Sequence, residues 1–187
     1  ATVGSLQITS SARTKSIFSI TRNIHLHSYN VTSLTTAISS HTDKILFRCS
    51  RLLRTGPVMM QETHADTDQL GFLMAALPSI DIRILDPIPC SDPSNLKSTT
   101  GGLVFLFPTA LGYSDISSIH EVVPGCIARV SCTHQQHTMF LWNIYLPPQS
   151  TDKVLDAFEE HVKEFVEMDQ PDIIHVAMGD LNCDPSR

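Results

Sequence analysis

Two short apolar runs, each closed by an acidic motif, constrain most strongly what this chain can fold into. Residues 57–61 lie between turn signals and run into Gln61-Glu62-Thr63-His64; residues 173–178 run into Gly179-Asp180-Leu181-Asn182. Neither run is long enough for a helix with its own buried face, so both read as buried strands with a carboxylate at the C-terminal end. Between them lies an amphipathic stretch over 151–168, with Val154, Leu155, Phe158, Val162, Phe165 and Val166 on one stripe and acids on the other. That spacing predicts a helix covering a sheet.

The remaining elements follow from the same periodicities. Ile24, Leu26 and Ser28 alternate with His25, His27 and Tyr29, the period of a strand, and Asn30 follows at its end. Asp43 caps a predicted helix with Ile45, Leu46, Cys49, Leu52 and Leu53 inward, stopped at Gly56-Pro57. A second helix is predicted from Asp66 or Thr67 to Leu77, with Leu70, Leu73, Met74 and Leu77 inward. Residues 80–84 alternate as a half-wet strand, and 86–100, rich in Pro, Ser, Asp and Asn, read as a loop. Four strands at 101–107, 116–122, 126–132 and 139–145 have short connections, which suits antiparallel neighbours. The order predicts a mixed α/β (α+β) sandwich with helices covering sheets.

Length and charge narrow the function classes. The chain has 187 residues, enough for one domain with a real core. No apolar run approaches the length of a membrane span. A net charge of −6 excludes a protein that coats nucleic acid by charge alone, though a bound metal can supply positive charge locally. Five cysteines with no Cys-x-x-Cys pair exclude a zinc framework or a secreted disulfide scaffold and point to a reducing, intracellular setting. Residues 1–42 lack Asp and Glu and are rich in Ser and Thr, so residues 1–22 read as a poorly ordered leader and 23–187 as the domain.

Polar residues collect at strand ends: Asn30, Glu62, Tyr145, and Asp180 with Asn182. Phosphodiester cleavage needs a hard cation, an activated water and donors for developing negative charge. Glu62, helped by the Asn30 carboxamide, suits a magnesium ion, which takes one or two carboxylates and keeps several waters. Asp180 suits the role of orienting or deprotonating the attacking water. Asn182 and the Tyr145 hydroxyl suit the donor role. His64 is a hydrogen-bond partner of the metal carboxylate or a structural histidine. Arg48, Arg51 and Arg54 read as a solvated helix face, with phosphate contact as the alternative.

Taken in order, Tyr29-Asn30-Val31, Gln61-Glu62-Thr63-His64, Gly101-Gly102-Leu103, Pro124-Gly125, Asn143-Ile144-Tyr145-Leu146-Pro147 and Gly179-Asp180-Leu181-Asn182 resemble the endonuclease/exonuclease/phosphatase superfamily. The form of the second and fifth motifs is most similar to the apurinic-endonuclease-like domains of non-LTR retrotransposons. The resemblance implies a four-layered, deoxyribonuclease I-like α/β sandwich, of which this chain carries the N-terminal part. It implies a magnesium- or manganese-dependent DNA endonuclease, with Glu62 and Asn30 at the metal and Tyr145, Asp180 and Asn182 catalytic. It also implies a nuclear setting and a downstream reverse transcriptase. Pro148 and Cys126 depart from that pattern, which often has Asn and Arg there. The family's late Ser-Asp-His motif has no counterpart, since no Asp-His pair occurs, and the chain is expected to be a fragment. Hydrolysis of a small phosphate ester or lipid headgroup, or an inactive remnant, are the alternatives.

Overall fold

The computed structural model describes residues 3–9, 23–31, 42–68, 70–77, 79–89, 99–147, 151–166 and 173–182. The first sheet has the order β1-β2-β3-β7-β4, built from β1 (Val3–Thr9), β2 (Asn23–Asn30), β3 (Val58–Gln61), β7 (Leu103–Pro108) and β4 (Ile80–Leu85). The second has the order β11-β10-β9-β8, from β8 (His120–Val123), β9 (Ile127–His134), β10 (His137–Tyr145) and β11 (Ile173–Asp180). Within them β2 pairs β3 in parallel and β10 pairs β11 in parallel, while the other neighbours are antiparallel. Among the described residues, three α-helices cover the sheets: α1 (Thr42–Leu52), α2 (Gly71–Ala76) and α3 (Thr151–Val166).

Alternation along the strands sorts the side chains into layers. From the first sheet, Ile24, Leu26, Met59, Leu103, Phe105 and Phe107 face the second sheet, where Val130, Cys132, Met139 and Leu141 meet them. The opposite face of the first sheet presents Val58, Met60, Val104 and Leu106 to Ile45, Cys49 and Leu53 of the α1 segment and to Leu70 and Leu73 around α2. On the far side of the second sheet, Trp142 packs edge-on against Phe158 of α3, with ring centroids 5.5 Å apart. Helix, sheet, sheet and helix make the four layers, and the mixed α/β sandwich of the deoxyribonuclease I-like type is the fold observed. The strand β7 is buried on both faces from end to end, which explains its unbroken apolar sequence.

Several expectations are corrected. Residues 3–9, assigned to a poorly ordered leader, pair with β2 in a seven-residue antiparallel register from Val3↔Tyr29 to Thr9↔Asn23. The backbone ladder along the open side of β2 supplies order that composition does not announce; residues 10–22 lie outside the described residues. The second helix is shorter than predicted, because the Thr67 amide and hydroxyl both donate to Asp86 Oδ1 at 3.0 Å and hold the preceding segment as a turn. Met74, expected inward, is 58% exposed. The loop 86–100 contains a two-stranded ladder of β5 (Ile88–Pro89) and β6 (Thr99–Thr100), with 90–98 outside the described residues. Cys90, Pro148 and Cys183 also lie outside them.

The four clustered strands do not share one sheet. β7 joins the first, and a 3-10 turn at Thr109–Leu111 with Gly112 at φ 75° carries the chain across to the second. Residues 116–119 are not a strand either: the Arg83 guanidinium donates to the carbonyls of Ile116 (3.0 Å) and Ser117 (2.8 Å), taking acceptors a ladder would use. Phe105, 1% exposed between the two sheets, is among the largest fully buried side chains. Phe105→Ala is expected to lower the unfolding free energy by about 3–5 kcal/mol in urea titration. A loss under about 1 kcal/mol would show that the inter-sheet core is loosely packed.

Candidate functional site

The site is built on the C-terminal ends of β2, β3, β10 and β11, two parallel pairs brought face to face. The two sheets meet there through a buried amide pair. Gln61 and Asn143 are both fully buried, and Gln61 Nε2 donates to Asn143 Oδ1 at 2.6 Å. The Asn143 amide group in turn donates to the carbonyls of Met60 (2.9 Å) and Val104 (3.2 Å), residues paired across β3 and β7. The other face of Gln61 is completed by its donation to Met59 O at 3.1 Å and by Ser28 Oγ, which donates to Gln61 Oε1 at 3.2 Å. A dry, fully bonded amide network of this kind permits few alternative arrangements, since each lost partner strands a buried polar group.

One residue beyond Gln61 and two beyond Asn143, the network hands over to the site. Tyr145 Oη donates to Glu62 Oε1 at 2.6 Å, and the Asn30 amide donates to Asp180 Oδ2. Each contact joins a residue of the first sheet to one of the second. Asp180 Oδ1 accepts the backbone N–H of Asn182 at 3.1 Å, so both carboxylate oxygens are held. Leu146 N–H donates to Asp180 O at 2.9 Å, and Asn182 Nδ2 donates to Leu146 O at 2.9 Å, which locks the ends of β10 and β11 together. Glu62 (φ 56°), His64 (φ 50°) and Asn182 (φ 42°) all adopt left-handed backbone, which is least favourable for the glutamate.

The glycine motifs clamp this strained loop. Thr63 N–H donates to Gly102 O and His64 N–H to Gly101 O, while Gly102 N–H donates to Gly125 O at 3.0 Å. Gly101 has φ 76°, and a Cβ there would come within 2.1 Å of Gly125 O, so only glycine fits. His64 Nδ1 lies 2.6 Å from Thr99 O, which anchors the ring to β6. His64 is therefore a structural histidine that fixes the loop.

All five residues singled out from the sequence, Asn30, Glu62, Tyr145, Asp180 and Asn182, converge at this end of the sandwich. Two pairings differ from the expected roles: Asn30 is bonded to Asp180, and the Asn182 amide is committed to Leu146 O. Gln61 and Asn143, which hold the site together, were not singled out as site residues. Their signal was a polar residue at an inward position of an apolar strand. Burial first, then the Glu62 hydrogen bond and charge, raise the Tyr145 hydroxyl well above the ordinary tyrosine range, so it stays a proton donor.

The donors available to a metal are oxygens only: the carboxylates of Glu62 and Asp180 and the Asn30 carboxamide. Among the described residues no cluster of three His, Cys, Asp or Glu side chains could hold an ion by itself. That set fits a magnesium ion bound largely by water and does not fit a zinc cage.

No family model and no curated protein matches the sequence. Solved structures do match. D. rerio TDP2, complexed with single strand DNA product, superposes with a TM-score of 0.60 at 14% identity over 86% of this chain and 61% of that one. An AP endonuclease from Archaeoglobus fulgidus gives 0.58 at 14% over 86% and 58%. An endonuclease/exonuclease/phosphatase family protein from Bacteroides thetaiotaomicron gives 0.55 at 15% over 87% and 64%. The fold is that of the endonuclease/exonuclease/phosphatase proteins. The chain spans between 58% and 64% of the length of these three structures.

The raised Tyr145 value has a consequence for stability. Above pH 10, the ordinary tyrosine value, the unfolded state loses this proton while the folded state keeps it, so stability falls as pH rises from there. Tyr145→Phe is expected to flatten part of that alkaline decline in unfolding free energy measured between about pH 9 and 11. An unchanged slope would place Tyr145 in an ordinary, solvated environment.

Proposed function

We propose that this chain is a metal-dependent phosphodiester hydrolase, a DNA endonuclease domain of the kind found in non-LTR retrotransposons. The observation that carries the reading is the pair of inter-sheet contacts, Tyr145 with Glu62 and Asn30 with Asp180, at one end of the sandwich. The oxygen-only donor set supports magnesium, with Glu62 and Asn30 as its protein ligands and manganese as a substitute. When bound, that ion would neutralise charge on the phosphate oxygens.

The chain's own residues supply the rest. The Asp180 carboxylate, oriented by Asn30 and by the Asn182 amide, accepts the proton of the attacking water. Tyr145, kept protonated, turns its hydroxyl from Glu62 to a non-bridging oxygen as negative charge develops there. Asn182 acts through its backbone, fixing the Asp180 rotamer rather than touching substrate. The motif style of Gln61-Glu62-Thr63-His64 and Asn143-Ile144-Tyr145 supports the retroelement subtype. That subtype implies a nuclear setting and a downstream reverse transcriptase. The D. rerio TDP2 structure with its single strand DNA product supports nucleic acid as the substrate of a fold of this shape.

Nicking of supercoiled plasmid tests the reading. The wild-type chain is expected to nick with magnesium and to stop in EDTA, and Asp180→Asn to lose about 10²-fold or more. Equal nicking by Asp180→Asn, or nicking in EDTA, would contradict it. Turnover of a phosphomonoester without any DNA nicking would favour the small-ester alternative. Glu62→Ala is expected to weaken magnesium binding, measured calorimetrically, while leaving the circular dichroism spectrum unchanged. Unaltered magnesium affinity would remove Glu62 from the metal.

A further inference from the structure

Four of the chain's thirteen Lys and Arg residues, Lys44, Arg48, Arg51 and Arg54, fall on or just after α1, beside a single acid, Asp43. The chain as a whole carries −6, so this segment reverses the sign of its surroundings. Lys44, Arg48 and Arg51 stand at i, i+4 and i+7 and make one stripe of adjacent side chains. All three are exposed, and among the described residues none has an ion-pair partner. Like charges at helical spacing destabilise a helix, so the stripe opposes α1 unless a polyanion lies on it.

Phe47 lies in the same stripe at 65% exposure. Together with Lys44, Arg48, Arg51, Leu52 and Thr55 it lines a shallow surface depression. The Arg51 guanidinium lies 6.0 Å from the Phe47 ring centroid, and that of Arg48 lies 4.8 Å from the ring of Tyr29. A guanidinium stacked on a ring keeps its in-plane N–H donors for phosphate. Tyr29 immediately precedes Asn30, the residue bonded to Asp180. Arg48, at the middle of the stripe, therefore packs on the helix-covered face of β2, one residue before the site residue Asn30 and on the opposite face of the strand.

We propose that the outer face of α1 binds a single-stranded stretch of nucleic acid flanking the cleavage position, with Lys44, Arg48 and Arg51 on successive phosphates and Phe47 stacked on an unpaired base. The inference rests on the reading of the chain as a nucleic-acid hydrolase. An exposed phenyl ring among cations matches the way single strands are held, by base stacking on aromatics and charge along the backbone. A lipid surface fits less well. The apolar face of α1, with Ile45 and Cys49, is already buried against the first sheet and cannot enter a bilayer.

Fluorescence anisotropy of a labelled single-stranded oligonucleotide, titrated with the 187-residue chain in EDTA to prevent cleavage, tests this directly. The combined variant K44Q/R48Q/R51Q is expected to bind at least about tenfold more weakly and to lower the slope of log affinity against log salt by about 2. Phe47→Ala is expected to weaken binding about tenfold. R48K/R51K, which keeps the charges, is expected to preserve the salt slope. Absence of wild-type binding, or unchanged affinity in the neutralised variant, would overturn the proposal. So would equal wild-type affinity for phosphatidylserine vesicles. Binding through α1 without plasmid nicking would thus remove the hydrolase reading alone, and nicking with unchanged binding in K44Q/R48Q/R51Q would remove this one alone.

Discussion

Between the two sheets, in a predominantly apolar layer, the carboxamides of Gln61 and Asn143 meet at 2.6 Å with no exposure to water. Apolar contacts around them set how closely the sheets approach but tolerate sliding, because hydrophobic burial is non-directional. A buried amide pair does not tolerate it. Each carboxamide has its partners in fixed directions, on Ser28, Met59, Met60 and Val104, and a shift by one residue would leave several polar groups dry and unpaired. The amide pair therefore fixes the register of one sheet against the other.

The site inherits that register. Glu62 follows Gln61 directly and Tyr145 lies two residues past Asn143, so the Tyr145–Glu62 contact sits in the same inter-sheet register as the amide pair. The parallel partners β2 and β11 extend the same alignment outward to Asn30 and Asp180. Left-handed backbone at Glu62 and His64 is held by the Gly101 and Gly102 carbonyls, which accept from His64 and Thr63, and at Gly101 a side chain would collide with the Gly125 carbonyl. The site is thus a joint between two sheets rather than a pocket within one element.

Much of this was legible in the sequence. Apolar runs ending in Asn30, Glu62, Tyr145 and Asp180 announced strands, whose polar ends the fold brings together, and the helical stripes at 43–53 and 151–168 located two of the covering helices. What escaped had physical causes. Gln61 and Asn143 were read as parts of motifs, because a polar residue inside an apolar strand does not reveal its partner, here 82 positions away. Which sheet β7 joins depends on the turn around Gly112 and on pairing with β3 and β4, neither of which periodicity reports. The second helix was overextended because Asp86, nineteen residues distant, holds Thr67 out of it. Order in β1 comes from backbone pairing with β2, which composition cannot show.

The Gln61–Asn143 bond joins the two sheets across their apolar interface. A double-mutant cycle with Gln61→Leu, Asn143→Leu and the pair, read by urea unfolding, measures that coupling directly. Each single variant is expected to leave a buried amide unpaired, and the double variant to be less destabilised than the sum, with a coupling of about 1–3 kcal/mol. Additivity within about 0.5 kcal/mol would mean that the two amides act independently, and the joint would not be what sets the site.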